Sequence, residues 1–221
     1  VDTTYTPEIV PVTPTATPAE TTDIQGATQT GKPEFKGGTV TVDGVEKTVA
    51  INEAVPATFD DGSTTKTVDG VGTYTVAADG TVTFVPEKSF VGTEPAVTVV
   101  REDKNGTKAS ATYTLSVTPI TITPTDKVSE DVQNVPQTQT PTFDLSNDKT
   151  AEITSKKLVD PATGQPTDET TVTVAGEGTY TIDPTPGAVT FTPENDFVGT
   201  DTGVQVQATA TITHAYSTTT T

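Results

Sequence analysis

Carboxylates are the reactive side chains this sequence offers in quantity: 30 Asp and Glu against 12 Lys and Arg, one His and no Cys. They stand in adjacent pairs at Asp60-Asp61, Glu102-Asp103 and Asp168-Glu169. Two carboxyls ~5–10 Å apart hydrolyse a glycoside when a cleft with aromatic support holds the sugar. With aromatics at 5% and no Trp, no sugar platform is visible, and no catalytic residue is expected. The sole histidine, His214, has neither a second His nor a thiol to join it, so a zinc site or a nucleophilic triad has no partners here. It reads as a surface residue on an edge strand. Calcium chemistry comes closer. Asp103-x-Asn105-Gly106 looks like the start of a calcium loop, and Asp60-Asp61-Gly62 is a second acidic turn. The full loop ends in a bidentate Glu at its twelfth position, where this chain has Thr114, so the motif breaks. Asp60, Asp61, Asp103 and Asn105 are therefore calcium candidates whose simpler explanation is turn geometry. No cofactor is expected.

The elements that position these groups are set by an internal repeat. Gly72-Thr73-Tyr74-Thr75 returns 106 residues later as Gly178-Thr179-Tyr180-Thr181. Val82-Thr83-Phe84-Val85-Pro86-Glu87 returns as Val189-Thr190-Phe191-Thr192-Pro193-Glu194, and Phe90-Val91-Gly92-Thr93 as Phe197-Val198-Gly199-Thr200, both shifted by 107. A period near 107 is the size of one small domain, so the chain reads as a tandem array. The alignment also bears on a Lys–Asn or Lys–Asp isopeptide cross-link, which a repeat would carry in every copy. Lys88 becomes Asn195 and Lys32 becomes Thr140, so such a bond is not intrinsic to the repeat.

Composition limits what the two halves do. The apolar fraction is 31%, and threonine makes up about a quarter of the chain. Threonine is stiff at χ1 and suits a pleated surface half in water, so a sheet protein with narrow cores is expected. The net charge of −18 disfavours nucleic acid and anionic membrane as partners. Missing Cys and Met remove the main oxidation-prone side chains, which fits an exposed life outside a cell. The chain starts and stops in mid-pattern and reads as a segment of something longer.

Residues 1–34 carry Pro7, Pro11, Pro14, Pro18 and Pro33, which interrupt regular ladders, and read as an extended lead or edge segment. Its counterpart lies at about 119–141, with Asp23-Ile24-Gln25 matching Asp131-Val132-Gln133 and Phe35 matching Phe143, all shifted by 108. A lead that repeats in step belongs to the repeat unit. The expected domains are therefore 1–119 and 120–221, each a lead plus a sandwich.

Strands follow from alternation. They are expected at 39–43, 47–52, 64–68, 72–77, 81–85, 96–102 and 107–117, then at 142–145, 151–159, 170–175, 178–183, 188–192 and 203–216. Asp79-Gly80 and Asn105-Gly106 mark hairpin turns. No stretch shows a helical period with caps, so the fold class is all-β, two tandem antiparallel β-sandwich (Ig-like) domains arranged end to end. Repeat two lacks the Asp103–Gly106 turn. Either its last hairpin is tighter, or 203–216 is one long strand whose partner is missing. In the shared blocks, Tyr74 and Tyr180 are expected as core aromatics with a hydrogen-bonded hydroxyl at a sheet corner, and Phe84 and Phe191 as core. Phe90 and Phe197 plug the sandwich end. Gly92 and Gly199 meet a positive φ or a close approach.

Taken in order with Val97–Thr107, these blocks resemble the CshA-type fibril repeat of streptococcal and other Gram-positive surface adhesins. The resemblance covers nearly all of repeat one and residues 131–204 of repeat two. It implies a structural stalk: cell-wall-anchored, extracellular repeats that contact neighbouring repeats of the same chain and project a distal binding region. Two rival readings remain. In one, the repeats themselves bind a host or bacterial surface protein as adhesion modules, taking a strand along a sheet edge. In the other, one or both halves are a disordered tether.

Overall fold

The computed structural model describes residues 1–213 and 216–217, with side-chain surroundings through Thr213; the expectation for His214 lies outside the described residues. The described chain is built from strands, turns and coil. It divides into two compact units, the first built on Val1–Pro119 and the second starting at Ile120.

In the first unit the strands are β1 (Thr15–Thr17), β2 (Ala19–Ile24), β3 (Ala27–Gly31), β4 (Glu34–Lys36), β5 (Gly38–Val42), β6 (Val45–Val49), β7 (Thr58–Phe59), β8 (Thr65–Val68), β9 (Gly72–Val76), β10 (Val82–Pro86), β11 (Gly92–Thr93), β12 (Val97–Glu102) and β13 (Lys108–Thr118). One sheet runs β3-β10-β9-β8, and the facing sheet runs β11-β13-β12-β7 with β2 parallel to β13. Alternation puts one side chain of every two inward. Val76, Tyr74, Val82 and Phe84 from the first sheet meet Phe59, Val99, Tyr113 and Leu115 from the second in one buried cluster. β5 and β6 form a separate hairpin. Asp43 and Gly44 take φ of 51° and 76° at its turn, so the second strand starts at Val45, two residues before alternation places it.

The lead segment takes up more of the sandwich than an extended edge. β2 joins one sheet and β3 the other, with the chain crossing between them at Gln25-Gly26. Pro14, Pro18 and Pro33 sit just outside the strands, so none of them breaks a ladder. A buried polar network ties the two strands together. Gln29, only 2% exposed, donates from Nε2 to Ser116 O at 3.0 Å. Thr21 Oγ1 donates to Gln29 Oε1 at 2.6 Å and lies 2.7 Å from the Tyr113 hydroxyl. With the Thr21 proton spent on Gln29, the Tyr113 O–H donates to Thr21. Gly31 makes room for the same ring: a Cβ there would stand 2.3 Å from Tyr113 Cε2.

The second unit is smaller. Its strands are β14 (Ile122–Thr125), β15 (Gln137–Gln139), β16 (Thr142–Leu145), β17 (Ala151–Asp160), β18 (Gln165–Pro166), β19 (Thr171–Val174), β20 (Gly178–Asp183), β21 (Ala188–Pro193) and β22 (Val206–Ile212); β23 (Tyr216–Ser217) belongs to the first unit, parallel to β3. A β15-β21-β20-β19 sheet packs with a β18-β17-β22 sheet, burying Leu158, Val172, Tyr180, Ile182 and Val189. β22 is a single strand that follows β17 from Leu158↔Val206 to Ala151↔Ile212, with a bulge between Ile153 and Ser155. The tighter-hairpin alternative for 203–216 therefore does not occur in the described residues.

Replacing Gln29 by Ala removes the amide that joins Thr21 to Ser116 O and leaves the Thr21 hydroxyl without its acceptor. The expected cost is about 2 kcal/mol, for a buried hydrogen-bond network broken at its centre. Chemical denaturation of the whole chain reads this as a lower midpoint for one transition. An unchanged midpoint would refute a structural role for the lead.

Candidate functional site

The repeated blocks assemble into one cluster, twice. Asp79 closes the β9–β10 hairpin, its Oδ1 accepting from Thr81 N at 3.0 Å. The register then sets Tyr74 opposite Phe84 and Val76 opposite Val82. The rings of Tyr74 and Phe84 lie 4.6 Å apart at 42°, and Phe90 meets Phe84 edge-on at 6.3 Å and 78°. In the second unit Tyr180 and Phe191 lie 4.7 Å apart at 36°, and Phe197 meets Phe191 at 6.1 Å and 82°. The matching extends to the backbone. Glu87 N donates to Val71 O at 2.7 Å, and Glu194 N to Glu177 O at 2.8 Å. Phe90 N reaches Glu87 O, and Phe197 N reaches Glu194 O, both at 3.0 Å. The lead is held alike: Gln25 Nε2 donates to Lys88 O at 2.9 Å, and Gln133 Nε2 to Asn195 O at 3.0 Å. Gly92 and Gly199 have φ of 120° and 118°, a conformation that side-chain-bearing residues rarely adopt.

Glycine is also required where each hairpin begins. A Cβ on Gly72 would stand 2.3 Å from Val85 O and 2.8 Å from the Phe84 ring; on Gly178, 2.4 Å from Thr192 O and 2.7 Å from the Phe191 ring. The tyrosine hydroxyls differ between copies. Burial, then the charge of Glu94, raises the Tyr74 phenol to about 12. Tyr180 donates to Asp201, whose carboxyl is raised by burial and then by the charge of Glu177. Glu177 in turn accepts from Thr202 N at 2.7 Å.

The acidic candidates are spread apart and serve turns. Asp60 accepts from Lys66 Nζ at 2.5 Å, and Asp61 accepts from Ser63 N and Oγ at 2.9 and 2.6 Å. Asp103 is fully buried, with Oδ1 accepting from the backbone N–H groups of Asn105 and Thr107 at 2.8 and 2.9 Å. Asn105 thus contributes its main chain to that turn. Among the described residues no three His, Asp or Glu side chains gather as a metal site would need. The buried network of Thr21, Gln29 and Tyr113 was not anticipated from the sequence, although Gln29 and Gln137 are both Gln at the 108-residue shift and hold the same register, opposite Phe84 and Phe191.

Two consequences are measurable. Gly72→Ala and Gly178→Ala each push a Cβ into a backbone carbonyl and should cost about 3 kcal/mol in their own unit; equal midpoints for variant and parent would sink the close-packing account. Asp79 is held down at about 2 by its hydrogen bond from Lys32, helped by Thr81. A depressed carboxyl stays ionised in the folded chain after the unfolded chain has taken up its proton. Its contribution is therefore complete above about pH 4 and lost as pH falls through 2. Both side chains are about half exposed, so the pair is worth under ~1 kcal/mol. Lys32→Ala should flatten the decline of melting temperature between pH 4 and 2, and an unaltered slope would show the pair to be inert.

The duplicated geometry agrees with a duplicated family match. The family model described as the surface adhesin CshA repetitive domain matches twice, at residues 11–117 and 119–220. The solution structure of repeat domain 13 of the fibrillar adhesin CshA from Streptococcus gordonii is 60% identical, over 29% of this chain and 83% of that one, with a TM-score of 0.19. Murine CEACAM1b is 14% identical over 94% of both chains, with a TM-score of 0.22. The I9-I11 tandem of titin is 12% identical over 92% of this chain and 66% of that one, with a TM-score of 0.29. No curated protein matches. With two family matches that together span most of its length, the chain belongs to the surface adhesin CshA repetitive domain family and carries two copies of the repeat.

Proposed function

We propose that the two repeats, 1–119 and 120–221, are stalk modules of a fibrillar adhesin. On this reading they lie outside a Gram-positive cell wall, contact neighbouring repeats of the same chain and hold a distal binding region away from the surface. The observation that carries this is the duplication of the cluster down to its hydrogen bonds: ring spacings, turn closures and glycine contacts agree between copies. What the repeat preserves is the means of building one sandwich again and again. Stability in such an array is a sum of unit and nearest-neighbour terms, so length is gained without new chemistry. The excess of acidic side chains keeps adjacent fibrils apart. The family is one of adhesin repeats, and no step of catalysis enters this role.

Solution scattering on the whole chain tests the reading. A single compact globule of this length has a radius of gyration of about 17 Å, whereas two ~13 Å bodies stacked lengthwise give roughly 24 Å. A value near the larger figure, stable from low to physiological salt, is expected. A value near the smaller one would rule out a spacer.

A further inference from the structure

We infer that each sandwich is latched by one cationic side chain, laid across the glycine of a hairpin turn in the facing sheet. The latch site takes its cation from either of two neighbouring strands, and this holds whether or not the repeats are stalk modules. In the first unit Phe59 of β7 stands opposite Val99 of β12 inside the core. Two residues on, the same register sets Ala57, just before β7, opposite Arg101. In the second unit Leu158 of β17 stands opposite Val206 of β22, and two residues on Lys156 stands opposite Ala208. Val99 and Arg101 correspond to Val206 and Ala208 at the 107-residue shift, so the rungs are equivalent. At this rung the first repeat has its cation on β12, and the second has it on the strand beside the β12 counterpart.

Both cations reach the same place. The β9–β10 turn carries Gly80 and the β20–β21 turn its counterpart Gly187, both buried, with φ of 92° and 79°. A Cβ on Gly80 would stand 3.7 Å from Arg101 Cδ, and a Cβ on Gly187 would stand 2.5 Å from Lys156 Cδ. Each stem therefore passes over bare backbone, and its head is held beyond. Arg101 Nη2 donates to Glu53 Oε2 at 2.8 Å, and Lys156 Nζ donates to Pro186 O at 3.0 Å.

Ladder hydrogen bonds run within a sheet, so the two sheets of a sandwich adhere through side chains that cross between them. A long cationic side chain suits that task, since its stem covers apolar surface while its head keeps a polar partner. Burying the charge has a desolvation cost, and Arg101 is only 7% exposed. Alanine at the equivalent position of the second repeat shows that the strand itself has no need of a cation. What both copies keep is a cation over the turn glycine, whichever strand supplies it.

Residue-resolved amide exchange on the whole chain reads the two turns separately. Gly80 N donates to Ala77 O at 2.9 Å, and Gly187 N donates to Asp183 O at 2.8 Å. Arg101→Ala should lower the protection of Gly80, and Lys156→Ala that of Gly187, by at least about 5-fold, each sparing the other turn. The decisive variants move the cation across. Ala57→Lys added to Arg101→Ala, and Ala208→Arg added to Lys156→Ala, should each restore protection to within about 2-fold of the parent. Ala57→Lys alone should instead lower it, because one place does not hold two like charges. A charge that merely offsets the acidity of the chain would raise protection in both backgrounds. Protection unchanged by loss of either cation, transposed variants no better than the single losses, or a gain from Ala57→Lys alone would each overturn the inference. If Arg101→Ala unfolds the first unit, the same comparison is read from whether adding Ala57→Lys recovers that unit's dispersed amide signals.

Discussion

In both repeats a phenylalanine ring lies against a glycine backbone where no Cβ could fit, and the neighbouring structure is fixed from that contact. Phe84 covers Gly72 and Phe191 covers Gly178. A ring seated so close to the opposite strand permits only one register. In that register Tyr74 stacks beside Phe84, and Phe90 arrives edge-on after the turn at Glu87. Aromatic pairs favour such tilted and edge-to-face geometries over flat stacking. In a chain with aromatics at only 5%, a handful of rings carries the packing of two domains.

Around these rings the protein relies on polar groups to an unusual degree. Threonines face one another across strands, as at Thr39 and Thr48, Thr67 and Thr73, and Thr138 and Thr190, each pair within hydrogen-bond reach. Cross-strand pairs of this kind stabilise a sheet modestly and keep its outer face wet. Deeper in, Thr21, Gln29 and Tyr113 satisfy one another. A buried polar network stabilises only when every member is paired, and this one also dictates which strand lies beside which.

Much of this was legible in the sequence because alternation and turn chemistry are local. Asp79-Gly80 placed a hairpin, and Tyr74, Val76, Val82 and Phe84 fell on the face that the structure buries. The lead segment was harder to read. Proline density signals interruption, yet strands of three to six residues fit between prolines, and the partners of β2 and β3 are chosen by residues 50 to 95 positions away, which no local pattern encodes. The network residues were hidden for the same reason: Gln29 is polar on an alternating face, and only its distant partner Ser116 explains it. The last turn of the first repeat has no counterpart in the sequence of the second, and the partner that β22 takes there, β17, is too distant in the chain for a local pattern to name.

The parallel pairing of β2 with β13 sets how the first repeat meets tension. The chain enters through β2 and leaves through β13, and the two lie side by side over six residue pairs, Tyr113↔Ala19 to Thr118↔Ile24. Opposed pulls on the entering and departing chain slide these strands lengthwise past each other. Every rung of that ladder is then loaded at once in shear, where a hairpin pulled from its open end would peel one rung at a time. The proline-spaced lead, folded into the sheet in this way, would take a lengthwise pull as shear between β2 and β13.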